Sequence, residues 1–229
     1  MFAESLELTP VPVGAESVEV VLLDLTRIED VEAMAQDVLT AAEREAYASL
    51  GHPRRRREWL GARAALKAIL LRRGRISGAA ECEIQKDARG RPEIVFAPGA
   101  HAPEVADCSI SHQGRFACVA LSGAAPARIG VDVEAISPRL LKVAGAFAED
   151  RQARLRSRSA EERLTVLWAI KEACAKALGG GIGTALRSVR CEETAEGRHR
   201  VWTDLGRELR AWHVERNGYV VALADLQDE

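Results

Sequence analysis

The segment Ile129–Glu134 (IGVDVE) carries two carboxylates two residues apart. Side chains alternate along a strand, so we expect Asp132 and Glu134 to face one side and Val131 and Val133 the other. Such a pair of oxygen ligands suits Mg²⁺, which commonly binds one or two carboxylates together with phosphate oxygens and water. The alternative is an amphipathic strand with a solvated acidic face, and this motif alone does not decide between the two.

A second candidate is the segment Trp168–Lys176 (WAIKEACAK), in which Trp168, Glu172 and Lys176 are spaced by four residues. This spacing places the three side chains on one face of a helix. A carboxylate and an ammonium side by side could act together on a substrate phosphate. The alternative is an exposed Glu–Lys pair that stabilises the helix by about 0.2–0.5 kcal/mol.

The third candidate, Ser109–His112 (SISH), places a hydroxyl and an imidazole next to each other. A hydrolase is disfavoured because Ser111 and His112, as neighbours on a strand, point to opposite faces and no G-x-S-x-G motif is present. Both groups can still bind phosphate oxygens. A purely structural histidine is the alternative.

Charge is distributed unevenly along the chain, although the formal net charge is only −2. Residues 1–53 carry a net charge of −9, whereas residues 54–75 carry +8. The basic residues of this second stretch are Arg54, Arg55, Arg56, Arg57, Arg63, Lys67, Arg72, Arg73 and Arg75. Such a cluster attracts phosphates, or it is a solvated helix face. Nucleic acid is disfavoured as a partner because the whole chain is not basic and aromatic residues make up only 4%.

Periodicity and capping signals predict the elements that position these candidates. Thr40 and Glu43 form a capping-box pattern that opens a short helix ending near Gly51, and Pro53 suits the first turn of the next helix. Long helices are predicted over 53–73 and 160–178, and strands over 17–25, 82–85, 94–96, 107–111, 115–122, 128–134, 188–192, 199–203, 208–214 and 218–225.

The two halves of the chain follow a similar order, each with a long helix followed by antiparallel strands. Each ends in a related segment, GRFACVALS (114–122) and GYVVALADL (218–226). We therefore predict an α+β fold built from a duplicated unit with pseudo-twofold symmetry. The predicted halves are residues 1–126 and 127–229, with the active site between them.

Composition excludes several classes. The chain has 229 residues, 47% apolar and 29% charged, which is ordinary for a globular protein and unlike a disordered one. Five cysteines without a CxxC pair do not fit a disulfide framework or a metal cage. No apolar run reaches about 18 residues, and the acidic N-terminus lacks the features of a secretory signal. A cytoplasmic protein with no membrane partner is expected.

Taken together and in this order, the motifs resemble the 4′-phosphopantetheinyl transferases of the long, two-half Sfp type. Asp132 and Glu172 are 40 positions apart, as in that family's Gly-Val/Ile-Asp and Trp-x-x-Lys-Glu-Ala/Ser-x-x-Lys pattern. The segments that carry the resemblance lie between residue 54 and about residue 183 and include Gly90-Arg91-Pro92, SISHQGRFACVA (109–120), GVDVE (130–134) and WAIKEACAK (168–176). The chain departs from the family at Arg91, where the family has Lys, and at Glu43 and Glu45, near which the family often has basic residues.

The resemblance implies the transfer of the 4′-phosphopantetheine arm of coenzyme A to a serine of an apo acyl or peptidyl carrier protein, with release of 3′,5′-ADP. It implies that Asp132, Glu134 and Glu172 bind Mg²⁺, with Mn²⁺ as an alternative, and that Glu172 helps to deprotonate the serine. Lys176 would bind a pyrophosphate oxygen. Ser111 and His112, with Arg91 close by, would contact the nucleotide phosphates, and Arg57, with Arg54, Arg55 and Arg56, would hold the 3′-phosphate.

Two other functions use the same residues. A non-catalytic protein of this fold would bind coenzyme A or a carrier protein without turnover. A Mg²⁺-dependent pyrophosphatase would cleave a nucleotide without a protein acceptor. A duplicated chain is expected to work as a monomer.

The carrier protein is expected to dock near a further basic segment, which precedes the second long helix. Its arginines are Arg151, Arg154, Arg156, Arg158 and Arg163. A carrier with an acidic helix after its acceptor serine would be attracted to them. A solvated linker is the alternative.

Overall fold

The computed structural model describes residues 2–14, 17–98, 107–123, 127–147, 159–179 and 189–227. The helices in these ranges are α1 (Phe2–Ser5), α2 (Val31–Val38), α3 (Ala41–Ala48), α4 (Pro53–Arg72) and α5 (Ala160–Leu178). The strands are β1 (Leu8–Pro10), β2 (Val18–Asp24), β3 (Cys82–Lys86), β4 (Pro92–Phe96), β5 (Asp107–Gln113), β6 (Phe116–Ser122), β7 (Ala127–Ala135), β8 (Val189–Ala195), β9 (Arg198–Thr203), β10 (Glu208–Arg216) and β11 (Tyr219–Gln227).

The strands form two larger sheets and a hairpin, all with antiparallel pairing. One sheet has the order β1-β2-β6-β5, the other has the order β7-β11-β10-β9-β8, and β3 pairs with β4. The predicted α+β class with antiparallel strands is confirmed. Each larger sheet packs one long helix, α4 on the first and α5 on the second. The duplication and the boundary between residues 126 and 127 stay predictions.

Alternating side chains of the first sheet separate two layers of core. Leu23, Val119 and Leu121 pack against α4, whereas Leu22 and Cys118 face the opposite way. That opposite layer also contains Val131, Val133, Val221 and Leu223 from the second sheet. The two sheets therefore share a buried apolar layer, and α4 and α5 lie outside it.

Helices α3 and α4 begin where the sequence predicts, and α5 begins with a capping box that the sequence analysis did not point out. Thr40 and Glu43 form the expected capping box at α3, and Pro53 stands at the first position of α4. At α5, Ser159 accepts a hydrogen bond from the backbone N–H of Glu162, whose carboxylate accepts one from the N–H of Ser159. These reciprocal bonds satisfy N–H groups that a helix start leaves without partners.

Polar side chains join the two sheets where β5 lies beside β7. A carboxylate oxygen of Asp107 accepts a hydrogen bond from the N–H of Ile129, and Ser109 Oγ accepts one from the N–H of Val131. Farther along β5, Ser111 donates to Asp132 and Gln113 donates to Glu134. These four residues of β5 are spaced by two, so they belong to one face of the strand. We call this row the seam.

The sequence did not predict α1, β1 or α2. Each is short, and α1 and β1 lie near the N-terminus, so the periodic signal over them is weak. None of the described helices combines the length and the low charge that a membrane crossing requires. The basic residues Arg151, Arg154, Arg156 and Arg158 lie outside the described residues, whereas Arg163 lies in the first turns of α5.

Candidate active site

A cavity of about 720 Å³ opens between α4, the β3–β4 hairpin, β5 and α5. Its lining is rich in basic groups and includes His52, Arg54, Arg55, Lys86, His112 and Lys176. Ser111 and Glu172 also line it. The volume lies within the range usual for small-molecule sites, and the basic lining favours an anionic occupant.

Asp132 and Lys176 are held together beside this cavity. Lys176 Nζ lies 2.8 Å from Asp132 Oδ1 and also donates to the carbonyl of Val131 at 2.8 Å. Ser111 Oγ donates to the same Asp132 oxygen at 2.8 Å. The other oxygen, Oδ2, is buried and has no hydrogen-bond partner among the described residues. A buried carboxylate oxygen without a partner is costly and indicates a place for a ligand or ion.

The close packing of β7 on α5 depends on Gly130. A Cβ atom at this position would lie 1.9 Å from the carbonyl oxygen of Ala173 and 2.7 Å from the backbone nitrogen of Ala177. Only a residue without a side chain lets the strand approach the helix backbone this closely. The approach brings Asp132 within reach of the side chains of α5.

Glu134 follows Asp132 by two residues on β7 and therefore lies on the same face of the strand. Its Oε1 accepts hydrogen bonds from Gln113 at 2.7 Å and from Arg139 at 2.5 Å. The side chain is 9% exposed. Burial raises the pKa of this carboxyl despite the hydrogen bond from Gln113 and the charge of Arg139.

Glu172 presents its carboxyl to the cavity from α5 and is only 5% exposed. Burial, followed by the negative charge of Asp132, raises the pKa of Glu172 to about 7; Lys176 opposes the rise and Glu134 adds to it. The three predicted carboxylates are thus close enough to influence one another. A carboxyl that titrates near neutral pH can both accept and release a proton.

The donor set fits Mg²⁺. No group of three His, Cys, Asp or Glu side chains among the described residues is placed to hold a metal ion, so Asp132, Glu134 and Glu172 do not form a three-carboxylate cage in this structure. Mg²⁺ does not require one, since it usually keeps waters and takes one or two carboxylates together with substrate phosphate oxygens. The free oxygen of Asp132 and the raised pKa of Glu172 both indicate negative charge that a cation would balance.

His112 faces Glu58, a residue of α4 that the sequence did not single out. His112 Nδ1 lies 3.3 Å from Glu58 Oε2, and Arg54 Nε donates to Glu58 Oε1 at 2.9 Å. Burial lowers the pKa of His112, whereas the Glu58 charge raises it. Ser111 and His112 point to different neighbours, as expected for adjacent strand residues, yet both line the cavity.

The four arginines that open α4 divide into two pairs. Arg54 and Arg55 line the cavity. Arg56 donates to the carbonyls of Leu50 and Ala48, and Arg57 donates to the carbonyls of Leu25 and Ile28. In this structure, therefore, Arg57 fixes the chain after β2, and its contact with a 3′-phosphate stays a prediction.

Arg91 connects the β3–β4 hairpin to the second half of the chain. Its guanidinium donates to the carbonyl of Lys176, to Asp107 and to the carbonyl of Ile129. It does not line the cavity that contains His112, although Gly90 and Pro92 on either side of it do. The predicted contact of Arg91 with nucleotide phosphates stays a prediction.

Trp59 and Arg63 form a wall of the cavity; the sequence indicated Arg63 only as a member of the basic cluster and gave no role to Trp59. The Arg63 guanidinium carbon lies 3.3 Å from the centre of a Trp59 ring, and Arg63 Nε is buried without a hydrogen-bond partner among the described residues. Burial lowers the pKa of Arg63 to about 10 despite the nearby charge of Glu43. The spacing of four residues between Trp59 and Arg63, in an otherwise apolar part of the helix, could have indicated that their side chains stack.

Comparison with known proteins gives one family match and a structural neighbour. A family model described as the 4′-phosphopantetheinyl transferase superfamily (ACPS) matches residues 128–224, less than half of the chain. No curated protein matches. Among solved structures, the holo-ACP-synthase from Plasmodium yoelii aligns with 48% of this chain and 95% of its own, at 18% identity and a TM-score of 0.38. That structural likeness is too low to transfer an activity. The family match contains Asp132, Glu134, Glu172 and Lys176.

Proposed function

We propose that this chain is a 4′-phosphopantetheinyl transferase of the long, two-half type. It would transfer the phosphopantetheine arm of coenzyme A to a serine of an apo acyl or peptidyl carrier protein and release 3′,5′-ADP. The single observation that carries the proposal is the convergence of Asp132, Glu172 and Lys176 beside a cavity rich in basic groups. The family match over 128–224 supports the same reaction class.

The cavity suits a polyphosphate ligand such as coenzyme A. Arg54, Arg55 and Lys86 line it together with His112, and Lys176 lies where these groups meet the carboxylates. Charged hydrogen bonds from such donors stabilise phosphates and hold them in position for reaction. Trp59, Ile84 and Ile110 offer apolar surface for the uncharged parts of the ligand.

Asp132, Glu134 and Glu172 would hold Mg²⁺. When bound, this ion neutralises charge on the pyrophosphate oxygens. The protein contributes the rigid placement of its ligands, because Asp132 and Glu134 lie on β7 and Glu172 lies on the helix that packs against that strand. Lys176 would move from Asp132 to a phosphate oxygen as negative charge develops on the leaving group.

Glu172 would take the proton of the carrier serine, directly or through one water. The serine Oγ then forms a bond to the phosphorus next to the pantetheine arm, and the bond from that phosphorus to the bridging oxygen breaks. The electron pair leaves with 3′,5′-ADP. The pKa of about 7 describes the site without a cation; Mg²⁺ beside these carboxylates would lower it, so Glu172 would be ionised at neutral pH and able to accept the proton.

Intact-mass spectrometry of a carrier protein tests the proposal against its alternatives. The chain is incubated with coenzyme A, Mg²⁺ and an apo carrier, and both the carrier mass and the nucleotide products are measured. A carrier that gains one phosphopantetheine supports transfer. Binding without a mass change would indicate a non-catalytic binding protein, and nucleotide cleavage without a carrier would indicate a pyrophosphatase.

We also propose that the carrier docks on the arginine-rich segment before α5. The arginines Arg151, Arg154, Arg156 and Arg158 precede the helix that carries Glu172. Charge complementarity with an acidic carrier helix would raise the association rate and direct the acceptor serine toward the site.

A further inference from the structure

A buried carboxylate in a cavity for anions requires an explanation. Glu58 lines the same cavity as Arg54, Arg55 and His112, and it is only 9% exposed. Its negative charge would repel a phosphate placed there. Helix α4 nevertheless supplies a glutamate between its basic N-terminus and its apolar centre, and the sequence analysis assigned it no role.

Glu58 contacts a guanidinium and an imidazole at once. Its Oε1 accepts a hydrogen bond from Arg54 Nε at 2.9 Å, and its Oε2 lies 3.3 Å from His112 Nδ1. Arg54 belongs to the same helix, one turn earlier, whereas His112 lies on β5. The carboxylate therefore connects the helix to the strand that continues into the seam.

The contacts with Glu58 leave particular nitrogen atoms of His112 and Arg54 available to a ligand. An imidazole whose Nδ1 is turned toward a carboxylate keeps its Nε2 for another partner, and His112 lines the cavity. Arg54, held through Nε, keeps the two terminal nitrogens of its guanidinium for other acceptors. A preorganised pair of donors loses less conformational entropy when it binds an anion than two mobile side chains would.

The charges around His112 act in opposite directions. Burial lowers the pKa of His112, and the positive charges of Lys176 and Arg55 lower it further. Glu58 on α4 raises the pKa, as does a backbone hydrogen bond of His112 itself. Glu58 is therefore the side chain that favours the protonated ring, which can donate from both nitrogens.

We propose that Glu58 is a positioning residue that holds His112 and Arg54 as a preformed pair of donors for a phosphate of the nucleotide substrate. The inference rests on the proposed function for the identity of that substrate. It adds a carboxylate that improves the binding of an anion by ordering the hydrogen-bond donors around it.

The direction in which Glu58→Gln changes the affinity for an anion distinguishes a positioning role from a purely electrostatic effect. Glu58→Gln removes a negative charge from the cavity, so a carboxylate without a positioning role would weaken anion binding, and its removal would tighten that binding. A positioning role predicts the opposite result. Because Arg54 and His112 would lose the charged partner that holds them, we expect the Kd for 3′,5′-ADP to rise about tenfold in Glu58→Gln.

Calorimetric titration with 3′,5′-ADP measures this effect. Glu58→Asp keeps the charge and is expected to bind more tightly than Glu58→Gln. Glu45→Gln, an exposed glutamate of α3 outside the cavity, is the charge-matched control and is expected to bind as the wild type does. Equal thermal unfolding midpoints for the wild type and Glu58→Gln would confirm that the fold is retained.

Nuclear magnetic resonance of the imidazole nitrogens provides a readout that does not depend on activity. The His112 signals are assigned with His112→Gln, and their titration is followed in the wild type and in Glu58→Gln. We expect the titration midpoint of His112 to fall in Glu58→Gln and to remain near the wild-type value in Glu45→Gln. Unchanged His112 signals, or 3′,5′-ADP binding that is unchanged or tighter in Glu58→Gln, would overturn the inference.

The two proposals fail in different ways. A wild-type protein that binds 3′,5′-ADP more tightly than Glu58→Gln, but transfers nothing to an apo carrier, would refute the transferase and leave the role of Glu58 intact. A working transferase in which Glu58→Gln binds 3′,5′-ADP as well as the wild type does would refute the role of Glu58 alone.

Discussion

Lys176 Nζ lies 2.8 Å from Asp132 Oδ1 and joins the last turn of α5 to the middle of β7. The same Asp132 oxygen accepts a hydrogen bond from Ser111 of β5. One carboxylate thus connects a helix and two strands, and its second oxygen remains without a partner among the described residues. In the proposed reaction, a phosphate and a cation would meet the ammonium of Lys176 at this carboxylate.

Asp132→Ala is expected to abolish transfer. Without this carboxylate the proposed Mg²⁺ site loses its central ligand and Lys176 loses its ion-pair partner, so pyrophosphate charge is poorly balanced. We expect turnover to fall by at least about 10²-fold, as for the loss of one charge-stabilising group in other enzymes. The measurement is the rate of carrier mass gain. Asp37→Ala, an exposed aspartate of α2, serves as the control, and normal turnover by folded Asp132→Ala would refute the site.

Glu172→Gln is expected to separate binding from turnover. The amide keeps the shape of the side chain but cannot accept a proton, so turnover should fall about 10²-fold or more. The Kd for coenzyme A, measured by calorimetry, should change much less. Equal losses in binding and turnover would show that Glu172 acts only as a ligand.

Gly130→Ala is expected to destabilise the protein and to damage the site. The added Cβ would meet the backbone of α5 at Ala173 and Ala177, and a backbone atom cannot rotate out of the way. We expect the free energy of unfolding to fall by at least about 1–3 kcal/mol, as for overpacked cores. Chemical denaturation measures the change. Gly51→Ala, whose Cβ would meet no atom within 4 Å, should leave the free energy of unfolding nearly unchanged.

The stability of the fold is expected to fall in mild acid because of a histidine pair in the second sheet. His199 Nε2 lies 2.8 Å from His213 Nδ1, and burial together with the charge of His213 lowers the pKa of His199 to about 4. In the unfolded chain the ring titrates near its ordinary pKa of about 6.5. Between these values the unfolded chain binds more protons than the folded protein, so stability is retained above about pH 6.5 and is lost as the pH falls toward 4.

Denaturation at pH 7.5, 6, 5 and 4 measures this loss in the wild type and in His199→Gln. The variant removes the titrating ring, so its stability should depend less on pH over this range, whatever its stability at neutral pH. His52→Asn replaces an exposed histidine at the N-cap of α4 with another capping residue and should keep the wild-type pH dependence. An unaltered slope in His199→Gln would contradict the assignment.

Replacing Arg154, Arg156 and Arg158 with Ser is expected to raise the KM for the carrier and to flatten its dependence on salt. Charges at the rim of an interface mainly change association and leave the chemical step alone. The KM for coenzyme A should stay near the wild-type value. Serine at Arg190, Arg198 and Arg207, which lie on or near β8 and β9 at the edge of the second sheet farthest from β7, is the matched control. An unchanged carrier KM would mean that docking occurs elsewhere.

Local patterns were sufficient to predict the long elements and part of the site. The capping box at Thr40 and the range 160–178 of α5 depend on residues close in sequence, and both are confirmed. The alternation that places Asp132 opposite Val131 is also local, and Val131 lies in the apolar layer between the sheets. These features follow from the side-chain periodicity of a strand, two residues, and of a helix, about four residues.

Contacts between distant segments could not be predicted in the same way. Arg57 is the neighbour of Arg56 in sequence, yet its guanidinium lies against the carbonyls that follow β2 rather than in the cavity. Glu58 and His112 become partners only because α4 packs beside β5. Whether an arginine faces the cavity or a backbone carbonyl depends on which carbonyls lie near it in the folded chain. A single sequence does not reveal the distances between such distant segments.

The seam has a consequence for how this fold tolerates change. Pairing through backbone hydrogen bonds is compatible with almost any residue type. Between β5 and β7, however, the contacts are made by the side chains of serine, glutamine and aspartate at every second position of β5. Sliding β5 by one residue would turn Ile110 and His112 toward β7 and would place one of them, in the position of Ser111, beside Asp132. The contacts that align the two sheets are therefore the same contacts that position Asp132 and Glu134. A substitution that shifts β5 against β7 would also displace the site.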